Sequence, residues 1–163
     1  MKTKTFLSLS LLAAAVFIGI DQLLKHWAVQ VLQPVQTIRL WSGVLHLEYR
    51  ENRGAAFSIL QNRTFLLIGV TSVVLFLLLG LLLSGRVRSR LFTVSLSLIL
   101  AGGFGNLIDR VFRGYVVDYI YFVPINFPVF NFADCCVVIG TGLMLLYFLV
   151  VEPRRESGAA ADG

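Results

Sequence analysis

Charge is scarce in this sequence. Of 163 residues, 14% are Asp, Glu, Lys or Arg, 57% are hydrophobic, and the mean hydropathy is +0.81. A soluble domain carries about a quarter charged residues, so that class is excluded. A disordered chain is excluded by the same apolar content. Cysteine is nearly absent: the two present, Cys135 and Cys136, are neighbours with no loop between them to close, which excludes a disulfide scaffold. Proline (4) and glycine (14) follow no period, so the chain is not collagenous. The only two histidines, His26 and His46, are far apart, and there is no His-Glu-x-x-His. A zinc site is therefore not expected. A phosphate-cradling Walker loop is also lacking. What remains is a membrane protein.

Four apolar runs support this, at residues 6–29, 65–83, 91–112 and 133–151. Each approaches or exceeds the roughly 20 residues that a spanning helix needs. The N-terminus has a rival reading. Met1-Lys-Thr-Lys followed by apolar residues resembles the start of a signal peptide, and Ala13-Ala14-Ala15 its cleavage site. The run continues through Ile20, so an uncleaved first span fits better. With four spans, both termini share a side. Lys2, Lys4, Arg86, Arg88, Arg90, Arg154 and Arg155 fall there, and seven cations fall on the other. The short basic connection at 84–90 and the basic N-terminus place the termini in the cytoplasm. The net charge of +5 flanks apolar runs. Topology and lipid headgroups account for it, and no nucleic-acid partner is expected.

The outer segments, 30–62 and 113–132, are too long for simple turns. Val44-Leu-His-Leu-Glu-Tyr49 alternates as a short strand does. Trp41 and Tyr49 are expected at the membrane interface. Pro124 and Pro128 forbid a continuous helix in the aromatic second segment. The fold expected is an all-α membrane protein: four transmembrane helices with a small extracytoplasmic β-containing platform and loop. Residues 1–156 would form one integral membrane domain and 157–163 a disordered tail.

Charged groups inside a span are functional candidates. Asp21 and Lys25 are i and i+4, spaced for an ion pair. Asn106 and Arg110 share a helix face, with Asp109 beside them, after the small-residue run Ala101-Gly102-Gly103-Phe104-Gly105 that admits a close backbone. Asp118 follows the third span and Asp134 opens the fourth, and the proline-containing segment returns the chain from one to the other. Asp134 alone reads as a helix cap. As a pair, two carboxylates sharing a site keep one proton near neutral pH, so one serves as base and the other as acid. Asn131 is placed to donate to an oxyanion or to orient an Asp. Cys135 and Cys136 lack a nearby base and read as small buried thiols.

Taken together, these motifs resemble the lipoprotein signal peptidase (signal peptidase II) family. Asp21-Gln-Leu-Leu-Lys25 resembles its first-helix motif, and Asn52-Arg-Gly54-Ala-Ala-Phe57-Ser58 its outer-platform stretch. Gly102-Gly103-Phe-Gly105-Asn106-Leu-Ile-Asp109-Arg110, then Gly114-Tyr-Val-Val-Asp118, resembles its third-helix motif. Phe130-Asn131-Phe-Ala133-Asp134 resembles its last.

The resemblance implies a metal-free, cofactor-free aspartyl endopeptidase of the bacterial cytoplasmic (inner) membrane. It would cleave lipid-modified prolipoproteins just before the lipidated cysteine. The catalytic role falls on Asp118 and Asp134. Supporting or substrate-binding roles fall on Asp21, Lys25, Asn52, Gly54, Gly102, Asn106, Arg110, Asn131 and Ala133. Partners would be prolipoprotein substrates and membrane lipids, with the chain a monomer, the site facing outward and the long outer loop able to act as a lid. A channel or carrier would line a pathway with its intramembrane charges but is expected to show repeats between halves, and none is seen. A lipid phosphatase would want catalytic histidines, and the two present are poorly placed.

Overall fold

A computed structural model describes residues 3–54 and 63–153. The chain begins with α1 (Thr3–Trp27), a π-helical turn (Ala28–Leu32) and the short α2 (Gln33–Val35), which form one rod. The sequence pattern ends the first span at residue 29. The rod runs on to Val35 because Ala28 and Leu32 are fully buried against Tyr49, Val117 and Tyr119. Protein rather than lipid holds its last turns. Gln36, at φ 63°, then turns the chain out of the rod.

Three further spans follow: α3 (Thr64–Leu83), α4 (Arg90–Arg113), and α5 (Phe132–Leu146) with its π-helical extension (Tyr147–Val151). α4 is the least apolar of the spans and the most buried. It packs against α1, α3 and α5, and so can carry polar groups that a lipid-facing helix could not. Leu75 and Leu82 of α3 meet Leu96, Leu100 and Leu107 of α4 in one apolar cluster. Cap chemistry sets the ends of α4. Ser89 accepts from the Phe92 N–H at 3.4 Å, and Gly114 takes the left-handed conformation (φ 81°) that stops the helix.

The expected platform is present at one end of the bundle as a three-stranded antiparallel sheet. Its strands are β1 (Thr37–Trp41), β2 (Leu45–Asn52) and β3 (Val116–Phe122), in the order β1-β2-β3. Of the alternating patch read at 44–49, residues 45–49 form the first part of β2, and Val44 belongs to the turn before it. The other strands escape a period test: β3 is a nearly continuous apolar run broken by Asp118, and β1 carries Arg39 among apolar residues. The pairing sets Arg50 opposite Asp118 and Asn52 opposite Val116, with a bulge between Leu47 and Arg50. Trp41 is exposed, as an interfacial residue would be, but Tyr49 is not. It is buried in the cluster under the sheet, where the end of the first rod covers it. Residues 55–62, on which the lid expectation partly rests, and the 157–163 tail lie outside the described residues.

The glycines of α4 set the spacing between helices. A Cβ on Gly102 would fall 2.2 Å from the Ala133 carbonyl oxygen, and one on Gly105 would fall 2.6 Å from Asp21 Oδ2. A Cβ on Gly142, in α5, would meet nothing within 4 Å. Gly102→Ala is therefore expected to cost about 1–3 kcal/mol through overpacking. Gly142→Ala should be neutral or stabilising by up to about 1 kcal/mol, from helix propensity. Thermal unfolding of both variants in one detergent checks the contrast.

Candidate functional site

Asp118 and Asp134 converge on one asparagine. Asn131 caps α5: its side-chain oxygen accepts from the Asp134 N–H at 3.0 Å, and Asp134 Oδ2 accepts from the Asn131 N–H at 3.1 Å. This reciprocal capping box fixes the first turn of the helix. The Asn131 amide group is thereby aimed back at the sheet, where Nδ2 donates to Asp118 Oδ1 at 2.6 Å. Asn131 is fully buried. The capping reading of Asp134 is thus correct but incomplete, since its other oxygen, Oδ1, accepts from Asn106 Nδ2 at 2.8 Å.

Asp118 sits on β3 and is buried. Its second oxygen accepts from Asn52 Nδ2, on β2, at 3.0 Å. Burial pushes its pKa up to about 7, with the charge of Asp134 adding to the rise. The hydrogen bonds from Asn52 and Asn131 act the other way, because they favour the carboxylate.

Lys25 ties the spans beneath this pair. It is fully buried and pairs with Asp21 Oδ2 at 2.9 Å and with Asp109 Oδ2 at 3.4 Å. It also donates to Asn106 Oδ1 at 2.8 Å. The same Asn106 oxygen accepts from Asn131 Nδ2 at 3.2 Å, so the lysine fixes which way the Asn106 amide faces and presents its NH2 to Asp134. The i, i+4 pair read from the sequence is real and is not isolated. Asp21 Oδ1 also accepts from the Ala133 N–H at 3.1 Å, joining α1 to the first turn of α5.

Arg110 lies on the Asn106 face of α4, as its spacing requires. It makes no ion pair with Asp118 or Asp134. It donates to the Gly54 carbonyl oxygen at 2.9 Å and to the Asn106 carbonyl oxygen at 3.4 Å. The Gly54 N–H donates to Asn52 Oδ1 at 3.0 Å. Both backbone groups of Gly54 are thus engaged internally, and this orients Asn52 toward Asp118. Residues 55–58 of the same motif lie outside the described residues. Gly102 and Ala133 contribute closeness rather than polar groups, since their backbones are in near contact.

Two residues belong to the network beyond those assigned from sequence. Asp109 is buried, accepts from the Val117 N–H at 3.0 Å and pairs with Arg113 at 2.5 Å, so it pins β3 to α4 one residue from Asp118. Its charge inside a span and its i, i+4 relation to Arg113 were the available signals. Gln22 donates to Asp21 Oδ2 and to the Gly105 carbonyl oxygen, both at 3.1 Å, and nothing in its sequence context marks it. Among the described residues no group of three or more His, Cys, Asp or Glu side chains is placed to hold a metal ion. Cys135 and Cys136 are free thiols, the second of them buried.

Removing Lys25 would leave Asp21 and Asp109 facing each other in the bundle without a shared counter-charge. Lys25→Met is expected to cost about 3–5 kcal/mol. Lys25→Met/Asp21→Leu, which also removes the lysine's own helix partner, should recover part of that loss. The yield of monodisperse protein and its unfolding temperature read both.

The chain resembles known proteins along most of its length. The family model for Signal peptidase (SPase) II matches residues 13–150. Among curated relatives, the Lipoprotein signal peptidase of Clostridium acetobutylicum is 41% identical over 153 residues, covering 92% of this chain and 99% of that one. The protein of the same name from Clostridioides difficile is 42% identical, covering 91% and 99%. That of Brevibacillus brevis is 42% identical, covering 83% and 91%. Two solved structures, each described as a bacterial membrane enzyme, superpose with TM-scores of 0.81 and 0.79 at 29% identity. The first covers 87% of this chain and 88% of its own, and the second 88% and 94%. With four membrane-length helices and this match, the chain is a multi-pass membrane hydrolase that belongs to the signal peptidase II family.

Proposed function

We propose that this chain is an aspartyl endopeptidase that removes signal peptides from diacylglyceryl-modified prolipoproteins, cutting just before the lipidated cysteine. The observation that carries the reading is the meeting of Asp118 and Asp134 on one residue, Asn131, whose side-chain amide donates to Asp118 and whose backbone N–H donates to Asp134. Family membership supplies the substrate class, because the relatives are named lipoprotein signal peptidases.

In this mechanism a water lies between the two carboxyl groups, which hold one proton between them. The ionised carboxylate takes a proton from the water as its oxygen attacks the scissile carbonyl. The protonated partner donates to the carbonyl oxygen, and the tetrahedral intermediate collapses with protonation of the leaving amine. The proton belongs to the pair, so neither Asp is the base by itself. Asn52, Asn106 and Asn131 orient the carboxylates. Lys25, paired with Asp21, holds the Asn106 amide, Arg110 acts on Asn52 through Gly54, and no metal takes part. The peptidase works as a monomer in the bacterial cytoplasmic membrane, with both termini cytoplasmic and the dyad toward the extracytoplasmic face. There the substrate's acyl chains remain in lipid while water reaches the carbonyl.

A gel-shift cleavage assay on purified protein tests the proposal. Cleavage of a diacylglyceryl-modified precursor, none of the unlipidated precursor and no effect of a chelator are expected. Asp118→Asn and Asp134→Asn should each lower turnover by about 10²–10⁴-fold, the worth of a positioned acid or base. Wild-type turnover in either variant would remove the dyad from the mechanism.

The pH profile is a second test. The pair needs its one proton, and Asp118 is raised to about 7, so activity should fall as pH rises through that region. Asn52→Ala removes a donor that favours the Asp118 carboxylate. Its alkaline limb should therefore move to higher pH. A profile that drops in height without moving would contradict this coupling.

A further inference from the structure

At the far end of the bundle from the carboxylates, the start of α1, the end of α3 and the start of α4 enclose a cavity of about 130 Å³. Arg90 and Asn106 are sixteen positions apart on α4, so about 24 Å of helix separates this cavity from the Asp118–Asp134 cluster. Its floor is apolar and buried at Leu82, with the buried Thr93 beside it. Lys4, Arg88 and Arg90 stand around it. The Arg90 guanidinium lies 5.6 Å from the Phe6 ring centroid, a contact that ties α4 to α1 across the opening. Among the described residues, no carboxylate pairs with Lys4 or Arg88. A volume of this size matches about four waters, too small for a peptide and suited to one anionic group.

We propose that this cavity is a binding site for the phosphate headgroup of an anionic phospholipid. Two cations, Lys4 and Arg88, beside an apolar floor at the end of membrane-spanning helices present what such a lipid requires. The phosphodiester meets Lys4 and Arg88, and the glycerol and first methylenes lie along Phe6, Leu7 and Val87. Inorganic phosphate shares the charge but lacks the apolar part. The site is independent of the peptidase chemistry.

Native mass spectrometry and thermal unfolding on the purified full chain test it, with phosphatidylglycerol, phosphatidylcholine and inorganic phosphate as separate probes. The variants are Arg88→Gln and Lys4→Gln, with Arg86→Gln as a charge-matched control because Arg86 is in the same connection but does not line the cavity. Phosphatidylglycerol should be retained over phosphatidylcholine and should raise the unfolding temperature. Each cavity variant should weaken retention about fivefold, the worth of one cation at an anionic surface, while Arg86→Gln behaves as wild type. Equal loss in Arg86→Gln would overturn the site in favour of diffuse attraction. Equal retention of phosphatidylcholine, or equal stabilisation by inorganic phosphate, would overturn the lipid assignment. None of these residues touches the carboxylate cluster, so cleavage in detergent should be unchanged in all three variants.

Discussion

A single buried ammonium group organises this molecule. Lys25 cannot remain charged in the bundle without acceptors around it. The acceptors it has come from two helices, with Asp21 on its own and Asn106 and Asp109 on α4. Each of those groups in turn holds another element. Asp21 holds the start of α5, Asp109 holds β3, and Asn106 holds Asp134. The two helices and the strand that bear on the carboxylate pair are therefore positioned from one point. In a low-dielectric interior such a network is rigid when every member is satisfied.

Close backbone approach is the second constraint. The hydrogen bonds that join Asn106 of α4 to Asp134 at 2.8 Å and to Asn131 at 3.2 Å require α5 to lie tight against α4. Gly102 and Gly105 permit that, because a side chain at either position would occupy the space of Ala133 or Asp21. Lipid supplies little hydrophobic drive for helices to associate, so small residues and polar contacts carry the association. The platform depends on ordinary apolar burial instead, with Val117 and Tyr119 closing over the end of the first rod.

Much of this was legible in the sequence, for identifiable reasons. The spans were legible because a bilayer imposes a length. Asp21, Lys25, Asn106 and Arg110 stood out because charge and amide are rare in apolar runs. The positions of Asp118 and Asp134 were legible from the short return between them. The wiring was not. Helical spacing puts Asn106 and Arg110 on one face, but it does not say that Arg110 would hold Gly54 rather than a carboxylate. Tyr49 looked interfacial because its burial depends on the first rod running past its lipid-length limit, a tertiary effect with no local signal. β3 was hidden because its apolar run lacks alternation, both of its faces being covered near Asp118. Asp109 was visible as a charge, but its bond to the Val117 N–H depends on the turn at Gly114, which sequence marks only as a helix stop.

The pairing of charges also bears on how the chain enters the bilayer. Asp21 and Lys25 are partners within one helix, and so are Asp109 and Arg113. Each of these helices carries its own counter-ion before any other is present. Either can partition into the lipid as a locally neutral unit, without waiting for a distant segment to be synthesised. Only when the helices meet does Lys25 reach across to Asp109. Insertion and assembly thus draw on the same side chains in succession, first as private pairs and then as a shared one.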